Sequence, residues 1–262
     1  MIGNLVRHII YFGINLFSEK HCTCNSCKTR LNSFKKVPDH FLKQLEEHDY
    51  VHPLFMSETF NYFQYYCPVC FCTDRERLYI LYLEEHLKTI TNNDKFNFLD
   101  IAPAKSISNW IKKHYSWINY RTVDLYMKNV DDKADITDLY IYPDEKFDFI
   151  LCSHVLEHIE NDRKALSEIY RILKPYGVAI IMVPVLLSLE KDLENSDYKT
   201  EGDRWKYYGQ NDHVRMYSKN GLVSKLQDTG FKVMQLTKEF FGQDHFKKYG
   251  IHKRSVLYVV HK

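Results

Sequence analysis

The chain has 262 residues, of which 45% are hydrophobic, 27% charged and 15% aromatic, a mixture that excludes a disordered or collagen-like chain. Its 36 Lys and Arg against 34 Asp and Glu leave a net charge of +2, which weighs against a broadly basic nucleic-acid binder. The length suits one large domain with a small appendage.

No stretch reaches the roughly 18 apolar residues that span a bilayer. The N-terminal MIGNLVRHIIYFGINLF is interrupted by Asn4, Arg7, His8 and Asn15, and no small-residue cleavage site follows it, so a secretory signal is not expected. Its apolar residues Ile2, Leu5, Val6, Ile9, Ile10, Leu16 and Phe17 recur at helical spacing. Residues 1–20 therefore read as an amphipathic helix docked on the rest of the protein. The alternative is an interfacial helix, residues 1–18 holding a cytoplasmic enzyme at the inner face of the membrane.

Residues 21–72 read as a small zinc-ribbon-like module. Six of the seven cysteines fall in two clusters, Cys22-Thr-Cys24-Asn-Ser-Cys27 and Cys67-Pro-Val-Cys70-Phe-Cys72. Cys24/Cys27 and Cys67/Cys70 each form a C-x-x-C knuckle, and two knuckles can build a tetrahedral four-thiolate site for structural zinc. The pairs are separated by 39 residues, more than in compact ribbons, so roughly residues 37–60 are expected to loop out. Cys22 and Cys72 are spare thiols that could replace a ligand. Cys152, alone in FDFILCS, reads as a small buried hydrophobe.

From residue 73 onward, strands and helices alternate. Thr73 or Asp74 caps a helix to about Lys88; FNFLDI (96–101) is a strand; 106–115 is a helix; YRTVD (120–124) is a strand; and 147–152 is a strand. A helix over 161–173 stops at Pro175 and Gly177. It is followed by the apolar strand VAIIMV (178–183), a helix over 220–228, and strands over 231–236 and 256–260, with a reversed strand at the edge. The alternation predicts an α/β domain over 73–262, a largely parallel sheet with helices on both faces. In such sheets ligands bind beyond the carboxyl ends of the strands. That rule selects Asp100, the turn Ile101-Ala102-Pro103-Ala104, Asp124, Asp135, Cys152, Ser153 and His154. An acid ending the second strand can accept both ribose hydroxyls of a nucleoside-containing cofactor. Any one of these aspartates could instead be a cap or turn residue; three at successive strand ends are harder to explain so.

The phrases FLDIAPA, VDL, ADITDLYIYPDEKFDFILCSHVLEHIENDRKALSEIYRILKPYGVAIIMVPV and DHVRMYSKNGLVSKLQDTGFKV resemble the class I S-adenosylmethionine-dependent methyltransferases over about residues 96–262. With CPVCFCTDRERLYILYL, the Ala-Pro first loop and GQNDHVRMY, the chain resembles a bacterial subgroup carrying an N-terminal cysteine-pair module, some of them found near glycan-synthesis genes. The resemblance implies a Rossmann-like, seven-stranded methyltransferase sheet and S-adenosylmethionine as cofactor. It implies Asp100 and Ala102–Ala104 near the methionine part, Asp124 with Leu125 at the ribose, Asp135 with Ile136 at the adenine, and Ser153 and His154 under the sulfonium. The sequence departs from the family where Ala102-Pro103-Ala104 replaces the usual glycines and where Tyr176 replaces a common glycine.

A hydroxyl acceptor needs a base, and histidine suits that role. His154, at a strand end, and His213, in DHVR, are the candidates; His158 reads as structural, and Arg215 as a clamp on an anionic acceptor. The insertion 185–210, with Trp205, Tyr207 and Tyr208, is expected to cover the acceptor. The sequence thus reads as a methyltransferase acting on a hydroxyl of a small or glycan-related acceptor, with no strong case for nucleic acid and no reading of oligomeric state. The alternatives are an RNA methyltransferase using its zinc module to bind RNA, for which Lys28, Arg30, Lys35 and Lys36 form the only compact basic group there, and an inactive methyltransferase-fold scaffold.

Overall fold

The computed structural model describes residues 21–90 and 95–262, so the expected helix and membrane contact of residues 1–20 lie outside the described residues. Among the described residues no helix is long and apolar enough to cross a membrane.

The cysteine-rich segment opens with a minimal hairpin, β1 (Cys22–Thr23) and β2 (Arg30–Leu31), followed by α1 (Asp39–Glu47) and a single 3-10 turn, Leu54–Met56. Residues 37–60 do not loop out freely. The Val51 amide donates to the Lys206 carbonyl and the Glu58 amide to Val185, and the Trp205 ring stacks on His48. Apolar and aromatic side chains in this stretch find partners on the later insertion, and that burial outweighs solvation of a free loop.

The helix α2 (Asp74–Lys88) follows, begun by the Glu76 carboxylate reaching back to the Thr73 amide at 2.7 Å. Beyond it lie β3 (Asn97–Ile101), α3 (Lys105–His114), β4 (Asn119–Val123), β5 (Phe147–Ser153), α4 (Asp162–Ile172), β6 (Leu173–Met182), α5 (Glu201–Tyr208), α6 (Lys219–Asp228), β7 (Lys232–Leu236), α7 (Lys238–Phe241), α8 (Gln243–Lys248) and β8 (Leu257–His261). The sheet order is β4-β3-β5-β6-β8-β7, with β3, β4, β5 and β6 parallel and β8 antiparallel to both its neighbours. Phe98, Phe149, Ile150 and Ile180 are wholly buried, as strands covered on both faces require.

Two expectations need correction. Six strands, not seven, form this sheet among the described residues. Beyond β4 the chain makes one parallel bridge, Val123 to Asp132, and turns away; the Asp131 carboxylate takes the Thr122 amide and hydroxyl, occupying the edge a further strand would need. The reversed strand is also not at the edge. β8 is apolar and buried on both faces and so sits inside the sheet, whereas the half-exposed β7 takes the edge.

Candidate active site

The carboxyl ends of β3, β4 and β5 open on a groove of about 600 Å³. Its lining includes Ala102, Asp124, Leu125, Asp135, Ile136 and His154, so most of the predicted cofactor residues meet here. Asp124 Oδ1 accepts the amides of Tyr126 and Met127 at 2.6 Å each, and Asp135 Oδ1 accepts the amide and hydroxyl of Thr137. These turns fix both carboxylates at the rim. Asp100 stands behind the groove, buried, accepting the Tyr120 hydroxyl at 2.6 Å; burial pushes its pKa up to about 7. Pro103, Ala104 and Ser153 do not line the groove: Ala104 precedes α3, and the Ser153 hydroxyl bonds the Tyr79 hydroxyl at 2.8 Å. Ala102 takes φ +52, the left-handed conformation that glycine adopts without cost. The alanine loop thus turns as a glycine loop does.

A second cavity, about 440 Å³, lies on the other side of His154 and His158, which line both spaces. Its wall combines Phe41, Tyr50, Phe60 and Tyr65 of the cysteine-rich segment with Arg75, Glu157, Tyr208 and His213. The insertion contributes less than expected. Trp205 is engaged with Phe41 and His48, and Tyr207 is stacked on Tyr198 at 3.8 Å, leaving Val185 and Tyr208–Gln210 as its lining residues. Arg75 was not singled out by sequence reasoning. The signal was present: a cation in the first turn of α2 is disfavoured by the helix dipole and needs another reason to be there.

His154 directly follows β5 at φ +57, a conformation uncommon outside glycine and frequent at functional sites. Its Nδ1 is 3.1 Å from Glu157 Oε1, and burial, reinforced by Arg75, pushes its pKa down to about 4, so the ring is neutral at pH 7. Burial opposes ionisation of Glu157, but His154, together with His213 and His158, outweighs it and holds the carboxyl below its ordinary range. His213 is buried with Nδ1 3.1 Å from the Tyr208 carbonyl.

Arg215 is not an acceptor clamp. It is buried and donates to the carbonyls of Leu156, Ile159 and Glu160 while pairing with Glu194 at 2.7 Å. Its bonds to these carbonyls hold the turn after β5, its Nε ties that turn to Glu194, and it does not line the second cavity.

The four predicted metal thiols are brought together. The sulfurs of Cys24, Cys27, Cys67 and Cys70 lie within 4.8 Å of one another, with Cys24–Cys70 at 3.6 Å and Cys27–Cys67 at 3.8 Å. A tetrahedron with zinc–sulfur bonds of about 2.3 Å has edges of about 3.8 Å, so the donor set fits zinc. Cys22 stands aside, directed at the Leu31 carbonyl, whereas Cys72 lies beside Cys24 and Cys70 with its thiol directed at the Thr73 carbonyl, outside the four mutually close sulfurs. Cys152 is fully buried, and burial pushes its thiol pKa up, as its hydrophobic reading anticipates.

Parts of the chain are similar to known proteins. Part of the chain is 41% identical over 54 residues, 21% of each chain, to the ubiquinone/menaquinone biosynthesis C-methyltransferase UbiE of Hydrogenovibrio crunogenus. It is 32% identical over 106 residues, 40% of each chain, to an uncharacterized protein of Methanocaldococcus jannaschii. The chain thus spans less than half the length of the curated relatives it matches. Among solved structures, a putative methyltransferase from Bacillus halodurans C-125 is similar at 15% identity and a TM-score of 0.44, covering 70% of this chain and 98% of that one. The [4+2]-cyclase SpnF is similar at 14% identity and a TM-score of 0.45, covering 87% and 97%. The match to the family described as methyltransferase domain runs over residues 66–236, from the second cysteine knuckle to the end of β7, and the chain therefore belongs to that family.

Proposed function

We propose that the protein is an S-adenosylmethionine-dependent methyltransferase that methylates a hydroxyl of a small, polar acceptor such as a sugar or glycan precursor. The observation that carries this reading is that a groove at the strand ends and a second cavity share one wall, His154 and His158. A cofactor in the groove and an acceptor in the cavity would meet there. Asp124 and Asp135 would hold the ribose and adenine, with Asp100 buried behind the groove. When bound, the cofactor supplies an electrophilic methyl, the sulfur–carbon bond breaking with its electron pair returned to sulfur as the acceptor oxygen takes the methyl.

The chain's own residues handle the proton. His154 is neutral, so a ring nitrogen keeps a lone pair to receive the acceptor's hydroxyl proton. The aromatic wall from the cysteine-rich segment excludes water, and zinc on the four thiolates would fasten that wall. The small cavity supports a small acceptor over a polymer, and two of the compact basic residues are already paired, Lys28 with Glu84 and Lys36 with Asp39.

Calorimetric titration with S-adenosylmethionine and S-adenosylhomocysteine is expected to give one site per chain, weakened at least tenfold by Asp124→Ala. Labelled methyl transfer to polyhydroxylated acceptors is expected to fall about 100-fold or more in His154→Gln, far more than cofactor affinity falls. Absence of cofactor binding by folded protein would establish the scaffold reading, and a methyl found on carbon would overturn the hydroxyl assignment.

A further inference from the structure

Glu157 is wholly buried in the turn after β5, and neither of its carboxylate oxygens has a hydrogen-bond partner. His154 touches Oε1 but is not aligned to donate to it. An ionised carboxylate left so in a protein interior is costly unless a cation belongs beside it. Two imidazoles complete the surroundings. Ligand atoms of Glu157, His158 and His213 all lie within 4.8 Å of one another, and the two rings meet edge to face at 4.7 Å. Each ring directs Nδ1 at an acceptor, His158 at Asp212 Oδ2 (3.2 Å) and His213 at the Tyr208 carbonyl (3.1 Å). The Tyr208 carbonyl fixes the His213 proton on Nδ1 and leaves its Nε2 lone pair to ligate, the arrangement by which proteins orient metal-bound histidines, and the Asp212 carboxylate beside His158 Nδ1 favours the same tautomer there.

We propose that Glu157, His158 and His213 form a binding site for a divalent transition-metal ion, separate from the four-thiolate cluster. Two imidazoles and one carboxylate suit Mn²⁺, Fe²⁺ or Zn²⁺ and leave coordination positions open. All three ligands line the second cavity, and His158 also lines the groove, so the open positions face the place where acceptor and cofactor would meet. The ligand class is an acceptor offering a hydroxyl oxygen. An ion held there would polarise that hydroxyl as a Lewis acid and hold its oxygen in place. This role deepens the methyltransferase reading and rests on it; the binding of the ion does not.

The test uses the full chain with its thiolate zinc retained and Mn²⁺ as the probe, because manganese prefers oxygen and nitrogen donors to thiolates. Paramagnetic resonance of free Mn²⁺ during titration is expected to show one ion bound per chain, weakened at least tenfold in His158→Gln, His213→Gln and Glu157→Gln, with zinc content unchanged. His158 is partly exposed, so its variant keeps the test valid even where Glu157→Gln fails to fold. Folded wild type that takes up no Mn²⁺, and no Fe²⁺ or Zn²⁺ beyond the thiolate ion, overturns the site. Uptake undiminished in His158→Gln and His213→Gln overturns the ligand assignment. A separate S-adenosylmethionine titration distinguishes failure of the metal site from failure of the methyltransferase reading.

Discussion

Asp100 is buried at the end of β3 with the Tyr120 hydroxyl as its hydrogen-bond partner, and burial lifts its pKa from 3.8 to about 7. An acid whose folded pKa lies above its unfolded value binds its proton more tightly when folded. Its penalty is therefore absent below about pH 4, grows as pH rises through 4 to 7, and is complete above that. Asp100→Asn keeps an oxygen for Tyr120 and removes the charge. It is expected to be the more stable protein at pH 8, by a few kcal/mol at most, with the difference vanishing at pH 4. Urea unfolding at the two pH values checks this; a difference that does not change with pH would show that Asp100 stays ionised when folded. The sequence placed Asp100, Asp124 and His154 at strand ends because strand alternation fixes where a run finishes. It could not give Arg215's direction: its residue type suits an acceptor clamp and a buried carbonyl clasp equally, and only the fold brings the turn over 156–160 to it.

On α2, Arg77 ties several elements together. It is fully buried and donates to the carbonyls of Gln64, Tyr65 and Cys72 on the cysteine-rich side and of Tyr249 and Gly250 after α8, with its guanidinium 3.7 Å from the Phe34 ring centre. A lysine cannot make five planar donations. Arg77→Lys and Arg77→Met should each destabilise by about 3–5 kcal/mol, because buried carbonyls lose their donors, and Lys should not rescue. Chemical denaturation measures it, and a loss under about 1 kcal/mol would show that water replaces the clasp. None of this is legible beforehand, since the partners lie 12 to 173 residues away except for Cys72. The strands are legible because an apolar run such as Phe147–Cys152 is its own signal. β6 begins earlier than its apolar run predicts, at Leu173, because Leu173 pairs with Phe147 before Lys174–Gly177 break the register.

The molecule couples its two candidate metal and cofactor regions unequally. Residues 37–65 run between the two cysteine knuckles and supply much of the second cavity's wall, whereas the groove is built from the ends of β3, β4 and β5 and the chain beyond them. Both knuckles must close on one ion for that wall to be held, and thiolate zinc binding contributes directly to folding. Cys67→Ser is therefore expected to lower bound zinc, measured by elemental mass spectrometry, and to speed amide hydrogen exchange across residues 37–65. Cofactor affinity should stay within a few fold of wild type, because the strands that frame the groove are held by the sheet. Stoichiometric zinc in Cys67→Ser would refute its role as a ligand. Cofactor affinity falling in step with zinc loss would show that the cysteine-rich wall and the strand-end groove fold as one cooperative unit, making the cluster a support for both sites.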